Sequence, residues 1–577
     1  MRNIVKVPIF LYACKMPETP PTEAQLALQR QNALFAMYRR CRVLVIEDNA
    51  QARGVLRTML RELGVEQIDM AVSGQDGIDW MGKGQYNIVL CDYNLGKGKD
   101  GQQVLEEARH SKYLKFSTVF ILVTAETSVE MVMGALEYQP DSYLTKPFTK
   151  KELRIRLDRA MQGKIDYKPI DDALQRKDLS GAIALCDERI ANEKQVPMRV
   201  LRIKAECLLG LEDYARAKKQ YQAVLAERDI AWAQIGLGRA ELALGEYDAA
   251  EVLFRRLLKA QPNLVECYDW LARVQIAQSH ARAAQDTLEE ATTRSPKAVL
   301  RQMELARLAF SNGSFMVAEK AYQRSIKLAN DSCYRSPDNF LHYVDTLMVK
   351  VDATKSKVSR SAFDEAIVCL KRLRKEFSGS ALIEFRGVML EGRLLYEYGK
   401  IDEAVTMLQR AEVMFSQLSE KCQVNFADRL VTHMAMAGEI DACHALVASL
   451  EQTLDEPGLM THLRKCIADC EQCLVSNALN TEALALYGRG QVAEACLKFS
   501  QAARTPGASI NVLFNGLKVC VELVERPDLN TQEWRKECEV FLSSLHKLDT
   551  GDHRYELYQS LQSRLDKVAR QSPASNH

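Results

Sequence analysis

Residues 87–101 read NIVLCDYNLGKGKDG, and the reading of this stretch decides the fold. The apolar run before Asp92 is rich in Ile, Val and Leu, the composition of a strand buried on both faces of a parallel sheet. It ends on a single carboxylate, followed at once by a glycine-rich loop. A charge cannot stay inside such a sheet, so Asp92 belongs at the strand's carboxyl end. In open α/β sheets that edge is where ligands bind.

The same alternation extends in both directions. RVLVIED from Arg42 reads as a strand, and AQARGVLRTMLRELG as an amphipathic helix closed by Gly64. QIDMAV, TVFILVT and DSYLTK read as further strands; GQDGIDWMGKG, GQQVLEEARHS, SVEMVMGALEY and TKKELRIRLDRAMQ read as helices. Five strands alternating with five helices in about 120 residues predict a doubly wound parallel α/β sheet. Polar groups end the strands: Glu47 and Asp48, then Asp92, then Thr124, then Lys146 with Pro147 directly after it.

These groups make sense as one site. Three carboxylates crowded at a sheet edge repel one another unless a cation lies between them, and hard oxygen ligands suit Mg²⁺. Mg²⁺ commonly binds through few carboxylates together with phosphate oxygens, so the set anticipates a phosphoryl group. Lys146 and the Thr124 hydroxyl would hold its remaining oxygens. Asp92 would be the nucleophile that becomes an aspartyl phosphate, in a reaction that asks for positioning and charge neutralisation more than proton transfer.

VLVIEDN, VLCDYN, ILVTAE and YLTKPF together resemble the receiver domain of bacterial two-component response regulators. The resemblance covers residues 41–163. It implies a flavodoxin-like fold and phosphotransfer from a histidine kinase or a histidine phosphotransfer protein. Asp92 matches the phosphoacceptor, and Glu47 and Asp48 match the acidic Mg²⁺ pair. Asn94 matches the residue whose backbone carbonyl completes the metal site. Thr124 and Lys146 match the pair that reads the phosphoryl group, and Tyr143 the switch aromatic that turns inward on activation. Lys146–Pro147 matches a peptide that is usually cis. Asn94 and Glu126 fall at the two positions that tune phosphate lifetime, and the same pair occurs in fast-turnover chemotaxis-type receivers. The loop YNLGKGKDG departs from the family in lacking its common proline; its glycines predict greater mobility.

After GKIDYKP the strand pattern stops, and the remainder reads as helical and repetitive. Ala250, Phe254 and Pro262 recur 34 residues on as Ala284, Leu288 and Pro296, and again as Ala318, Tyr322 and Asn330. Leu237-Gly238 recurs as Leu271-Ala272 and Leu305-Ala306, and one unit upstream the register gives Ala217 and Tyr221. YGKIDEAVTMLQRAE and RGQVAEACLKFSQAA recover the phrase later at irregular intervals. Small residues where helices cross, at this period, mark helix-turn-helix units that stack because one pair cannot bury its apolar face alone. This resembles the tetratricopeptide repeat, whose family role is to bind a protein or peptide in a concave groove.

Bulk properties fit this reading. A chain of 577 residues exceeds one hydrophobic core. With 77 Lys and Arg against 76 Asp and Glu, there is no basic footprint for nucleic acid or a membrane surface. No stretch approaches the roughly 20 apolar residues of a membrane span. The 16 cysteines are scattered without a short-loop framework and read as reduced cytoplasmic thiols. At the start, the apolar run is short and interrupted by Lys6 and Pro8, which argues against an export signal. Residues 1–40 read as a disordered leader, or as an upstream extension with Met16 or Met37 the true start. In the tail, His462, Cys466, Cys470 and Cys473 have spacings that a metal or cluster site could use. Steps of three and four residues on a helix also trace one face, and buried cysteine serves as a small hydrophobe.

The expected organisation is a leader to 40, a receiver over 41–163, and a linker with a first helical pair over 164–196. Regular repeats follow over 197–330, an irregular helical segment over 331–380, divergent repeats over 381–567 and a disordered tail over 568–577. The expected function is a non-enzymatic response regulator: phosphorylation of Asp92 reshapes the face of the fourth and fifth helices, with Glu130, Lys150 and Lys151 as surface charges, and alters what the repeat scaffold binds. A phosphate sink that drains or inhibits a shared phosphorelay is the alternative. Both a monomer and a homodimer, through the receiver face or the repeats, fit the sequence.

Overall fold

The computed structural model describes residues 36–125, 140–193, 195–349, 351–352, 357–526, 531–546 and 555–571. The chain divides into two compact units, residues 1–339 and 340–577.

In the first unit, β1 (Arg42–Ile46), β2 (Gln67–Ala71), β3 (Ile88–Asp92), β4 (Val119–Thr124) and β5 (Ser142–Thr145) form one parallel sheet in the order β2-β1-β3-β4-β5. The chain moves to one side after β1 and to the other after β2. The carboxyl ends of β1 and β3 therefore flank the crevice where such sheets take ligands. β3 and β4 are buried along their whole length.

Alternation along the strands sorts their side chains onto two helical layers. Val43, Val45, Leu90 and Ile121 pack under α1 (Ala50–Glu62) and α4 (Lys150–Asp166), and Leu44, Ile46, Val89 and Phe120 pack under α2 (Gly74–Lys83) and α3 (Gly101–His110). Each helix starts on a side chain that accepts from its free amides: Asn49, Ser73, Asp100 and Thr149, the last two as capping boxes with Gln103 and Glu152. Residues 36–40 are helical, and Tyr38 lies in the core beneath α1 and α4, its hydroxyl donating to Asp158 Oδ1 at 2.6 Å. The expected helix around 128–138 lies outside the described residues, as do Glu126 and Glu130.

Ten helices follow in antiparallel pairs: α5 (Lys168–Gln175), α6 (Leu179–Asn192), α7 (Met198–Gly210), α8 (Tyr214–Glu227), α9 (Ala231–Ala243), α10 (Tyr247–Ala260), α11 (Val265–Ala277), α12 (Ala281–Arg294), α13 (Val299–Ser311) and α14 (Phe315–Leu328). The period comes from close crossings. Ala217, Ala250, Ala284 and Ala318 have no exposed surface. A Cβ on Gly238 would lie 2.4 Å from the Phe254 ring, so the first helix of that pair needs its glycine.

After a 3₁₀ turn at Ala329–Asp331, the helix Pro337–Met348 leads to a short antiparallel pairing of Val351–Asp352 with Lys357–Val358, then the helix Arg360–Glu376. Among its described residues the second unit is otherwise helical and includes one helix of 32 residues, Pro457–Gly488, which spans much more than a repeat helix. The last described helix ends at Gln571, beyond residue 568.

Candidate functional site

The carboxyl edge of β1 and β3 collects three carboxylates. One oxygen from each of Glu47, Asp48 and Asp92 lies within 4.8 Å of the others, Glu47 and Asp92 being buried and Asp48 exposed. Among the described residues this is the only such grouping of His, Cys, Asp or Glu. Lys146 Nζ sits between the two buried members, donating to Glu47 Oε2 at 2.7 Å and to Asp92 Oδ2 at 2.9 Å. Burial works against the lysine's charge, but the hydrogen bonds and charges of Glu47 and Asp92 outweigh it, so its pKa is raised.

Backbone geometry holds these groups. The Glu47 amide donates to the Ala71 carbonyl, which carries β1–β2 pairing one residue past Ile46. Arg53, near the start of α1, donates from Nη1 to the carbonyls of Glu47 at 2.6 Å and Asp48 at 2.8 Å. Sequence reasoning missed Arg53, because an arginine on a helix carries no local mark of a carbonyl partner. Gly101 donates to the Tyr93 carbonyl at 2.8 Å, and a Cβ there would lie 2.3 Å from the Asp92 carbonyl oxygen. At Gly96, φ is +72° and a Cβ would meet Asp48 Oδ2 at 3.1 Å. The loop after Asp92 thus folds back over the acidic pair. Asn94, in that loop, is exposed, and its Oδ1 accepts from the Gly96 amide at 3.4 Å.

Thr124 ends β4 buried, and its carbonyl accepts from the Lys146 amide at 2.7 Å. The Lys146–Pro147 peptide is cis. Tyr143 is half-buried against the apolar layer beneath α2 and α3. Burial raises its phenol pKa, with Arg109 opposing and Tyr93 adding. Thus Glu47, Asp48, Asp92 and Lys146 form one cluster. Thr124 is joined to it through backbone, and Tyr143 looks onto the other layer.

Residues 43–158 match the response regulator receiver domain, and residues 231–274 and 271–332 match tetratricopeptide repeats. The chain carries a receiver domain followed by tetratricopeptide repeats. Chemotaxis protein CheY-3 of Vibrio cholerae is 28% identical to it over 121 residues, 21% of this chain and 92% of that protein. Transcriptional regulatory protein DltR of Streptococcus agalactiae is 34% identical over 118 residues, 20% of this chain and 50% of that protein. Among solved structures, a CheY-like receiver domain protein of Methanospirillum hungatei covers 22% of this chain and 97% of its own at 21% identity and a TM-score of 0.20. The receiver domain of the Francisella response regulator 1452 covers 21% and 97% at 26% identity, also with a TM-score of 0.20.

The cysteines of the tail fall elsewhere in the chemistry. On the 32-residue helix, Cys466 Sγ lies 3.5 Å from His462 Nε2 and Cys473 Sγ donates to the Gly507 carbonyl at 3.3 Å, while Cys470 packs on an apolar core. They are turned to different neighbours. No helix among the described residues is long and apolar enough to cross a membrane.

Proposed function

We propose that this chain is a phosphorelay response regulator in which Asp92 accepts a phosphoryl group from a histidine kinase or histidine phosphotransfer protein, and in which the repeats are the output. The observation that carries it is the meeting of Glu47, Asp48 and Asp92 oxygens within 4.8 Å beside a lysine that already touches Asp92. The donor set is all oxygen, which fits Mg²⁺. Glu47, Asp48, Asp92 and the Asn94 carbonyl would hold the ion, which when bound neutralises the carboxylates and the incoming phosphoryl oxygens.

A carboxylate oxygen of Asp92 forms the new bond to phosphorus as the phosphorus–nitrogen bond of a phosphohistidine breaks. The imidazole keeps that electron pair and takes a proton. Lys146 passes from Asp92 to the phosphoryl oxygens, and the Thr124 hydroxyl donates to them, a charge-assisted arrangement that holds the group in line. Tyr143 follows Thr124 inward. The repeats then change their hold on a protein or peptide. With no disulfide among the described cysteines, the reading includes a cytoplasmic setting.

The test is labelling by acetyl phosphate with Mg²⁺, wild type beside Asp92→Ala, with loss of label followed over time. An Asp92-dependent label is expected. Its absence would leave a constitutive scaffold. A lifetime of minutes would favour the phosphate sink or a transient switch over a lasting change of partner.

A further inference from the structure

Helix α3 has more buried surface than a sheet can cover. Val104, Leu105 and Ala108 pack on the sheet. Gln102 and Glu106, one turn apart on a different face, are 5% and 4% exposed, and neither belongs to that apolar layer. A polar pair at this spacing ordinarily faces water. Its burial calls for a second cover.

The cover is the chain's own repeat array. Gln103 Nε2 donates to the Leu328 carbonyl at the end of α14, at 3.5 Å. The His110 ring meets Tyr334 edge-on, with centroids 5.6 Å apart at 81°. Lys297, in the turn between α12 and α13, holds its ammonium 5.8 Å from the centre of the Tyr93 ring. The repeats supply their own control, because equivalent turns recur every 34 residues. Glu227 and Gln261 are exposed where Ser295 is buried, and Ile230 and Leu264 are half-exposed where Ala298 is buried. The next equivalents, Ala329 and Ser332, are buried too, beside Leu328 and Tyr334, so the turns that depart from the pattern are the two against the receiver.

Tyr93 directly follows Asp92, and Asp100 closes the same loop. Burial raises the Asp100 pKa, partly offset by its cap to Gln103 and by the charge of Lys297. Lys297 itself remains exposed, so it can exchange partners at little cost.

We propose that the loop after Asp92 and helix α3 form the receiver's docking surface for the repeat array, and that Lys297 is the residue through which the array reads the state of Asp92. This rests on Asp92 being the phosphoacceptor. Phosphorylation replaces the single charge of the Asp92 carboxylate with an acyl phosphate carrying close to two, a net gain of about one negative charge, and adds three strong acceptors next to Tyr93. Lys297 leaves the ring for that charge and draws the α12–α13 turn with it. The repeat array therefore changes before any outside partner binds, and the receiver contacts described lie on α3 and the loop after Asp92 rather than on Lys150 and Lys151.

The experiment is hydrogen–deuterium exchange on the full chain with Mg²⁺, with and without beryllofluoride as phosphoryl mimic, in wild type, Lys297→Gln, Lys259→Gln and Asp92→Asn. In wild type, peptides over β3 and over residues 295–298 should both change their exchange rate, the latter by about threefold or more. Lys297→Gln should keep the β3 response and lose that of 295–298, while Lys259→Gln keeps both. A β3 response without one at 295–298 in wild type would overturn the docking inference alone. An undiminished response in Lys297→Gln would overturn the role of Lys297. Wild type behaving like Asp92→Asn throughout would instead overturn the reading of Asp92 beneath it.

Discussion

Lys146 is the cation that makes two buried carboxylates tolerable at one sheet edge, and its removal has a pH signature. Its pKa is raised on folding, so its stabilisation is complete below the unfolded lysine value of about 10.4 and fades only as pH rises through the folded value. With Mg²⁺ chelated, Lys146→Gln should lower stability by about 2 kcal/mol at pH 7. That discounts the usual penalty for breaking a buried pair, because the side chain keeps 26% of its surface in water. Urea unfolding from pH 7 to 11 checks it: the gap between the proteins should narrow above about pH 10.5, and a gap that widens there would reject the account. Two glycines nearby separate steric from conformational demands. Gly101→Ala forces a methyl onto the Asp92 carbonyl and should cost about 1–3 kcal/mol while slowing acetyl phosphate labelling. Gly98, at φ +94° with open space around it, should cost only about 1 kcal/mol on Gly98→Ala and leave labelling near wild type. Equal labelling defects would mean the close approach at Gly101 is not what places Asp92.

Among elements, legibility followed the strength of the local constraint. Strand ends were readable because Asp92, Glu47 and Lys146 cannot be buried without partners, so apolar runs had to stop there. The repeats were readable because each crossing demands a small residue opposite a large one, as Gly238 does Phe254. Helix α3 was only half readable. Val104, Leu105 and Ala108 announce one face, but Gln102 and Glu106 look like solvent-facing residues until the array approaches, and nothing local encodes an approach from residues 297–334. The later repeats blurred for a different reason: the hairpin Val351–Asp352 with Lys357–Val358 and helices of 17 and 18 residues after it shift the phase, and a 32-residue helix shifts it again, so a 34-residue ruler loses its place. The crossing rule carries a prediction. Gly238→Val should lower the stability of the first unit by roughly 1–3 kcal/mol through overpacking against Phe254. Val at Gly245, a turn glycine with φ +78° and open surroundings, should cost about 1–2 kcal/mol by backbone strain. Denaturant melts followed at Trp270 distinguish them when combined with Phe254→Ala, itself costing about 3–5 kcal/mol: the costs should add for Gly245→Val and fall short of additive for Gly238→Val.

At the scale of the whole molecule, the division falls at 339/340, inside the helix Pro337–Met348 that follows the regular repeats and not between receiver and repeats. The sheet and the array through α14 should therefore respond to a ligand at Asp92 as one cooperative body. The four tryptophans are placed to test this: Trp80 in α2, Trp232 and Trp270 in the array, and Trp534 in the second unit. Each would be kept in turn as a single reporter, the others replaced by Phe, in the full chain. A ligand at 100 times its Kd stabilises the form it binds by about 2.7 kcal/mol. With Mg²⁺ and beryllofluoride, Trp80, Trp232 and Trp270 should shift together by several degrees in thermal unfolding, and Trp534 should not move. A shift confined to Trp80 would mean that receiver and array unfold independently and that their contacts are too weak to couple them. A shift at all four would mean that the two units melt as one. Either result would relocate the boundary across which a signal from Asp92 must pass.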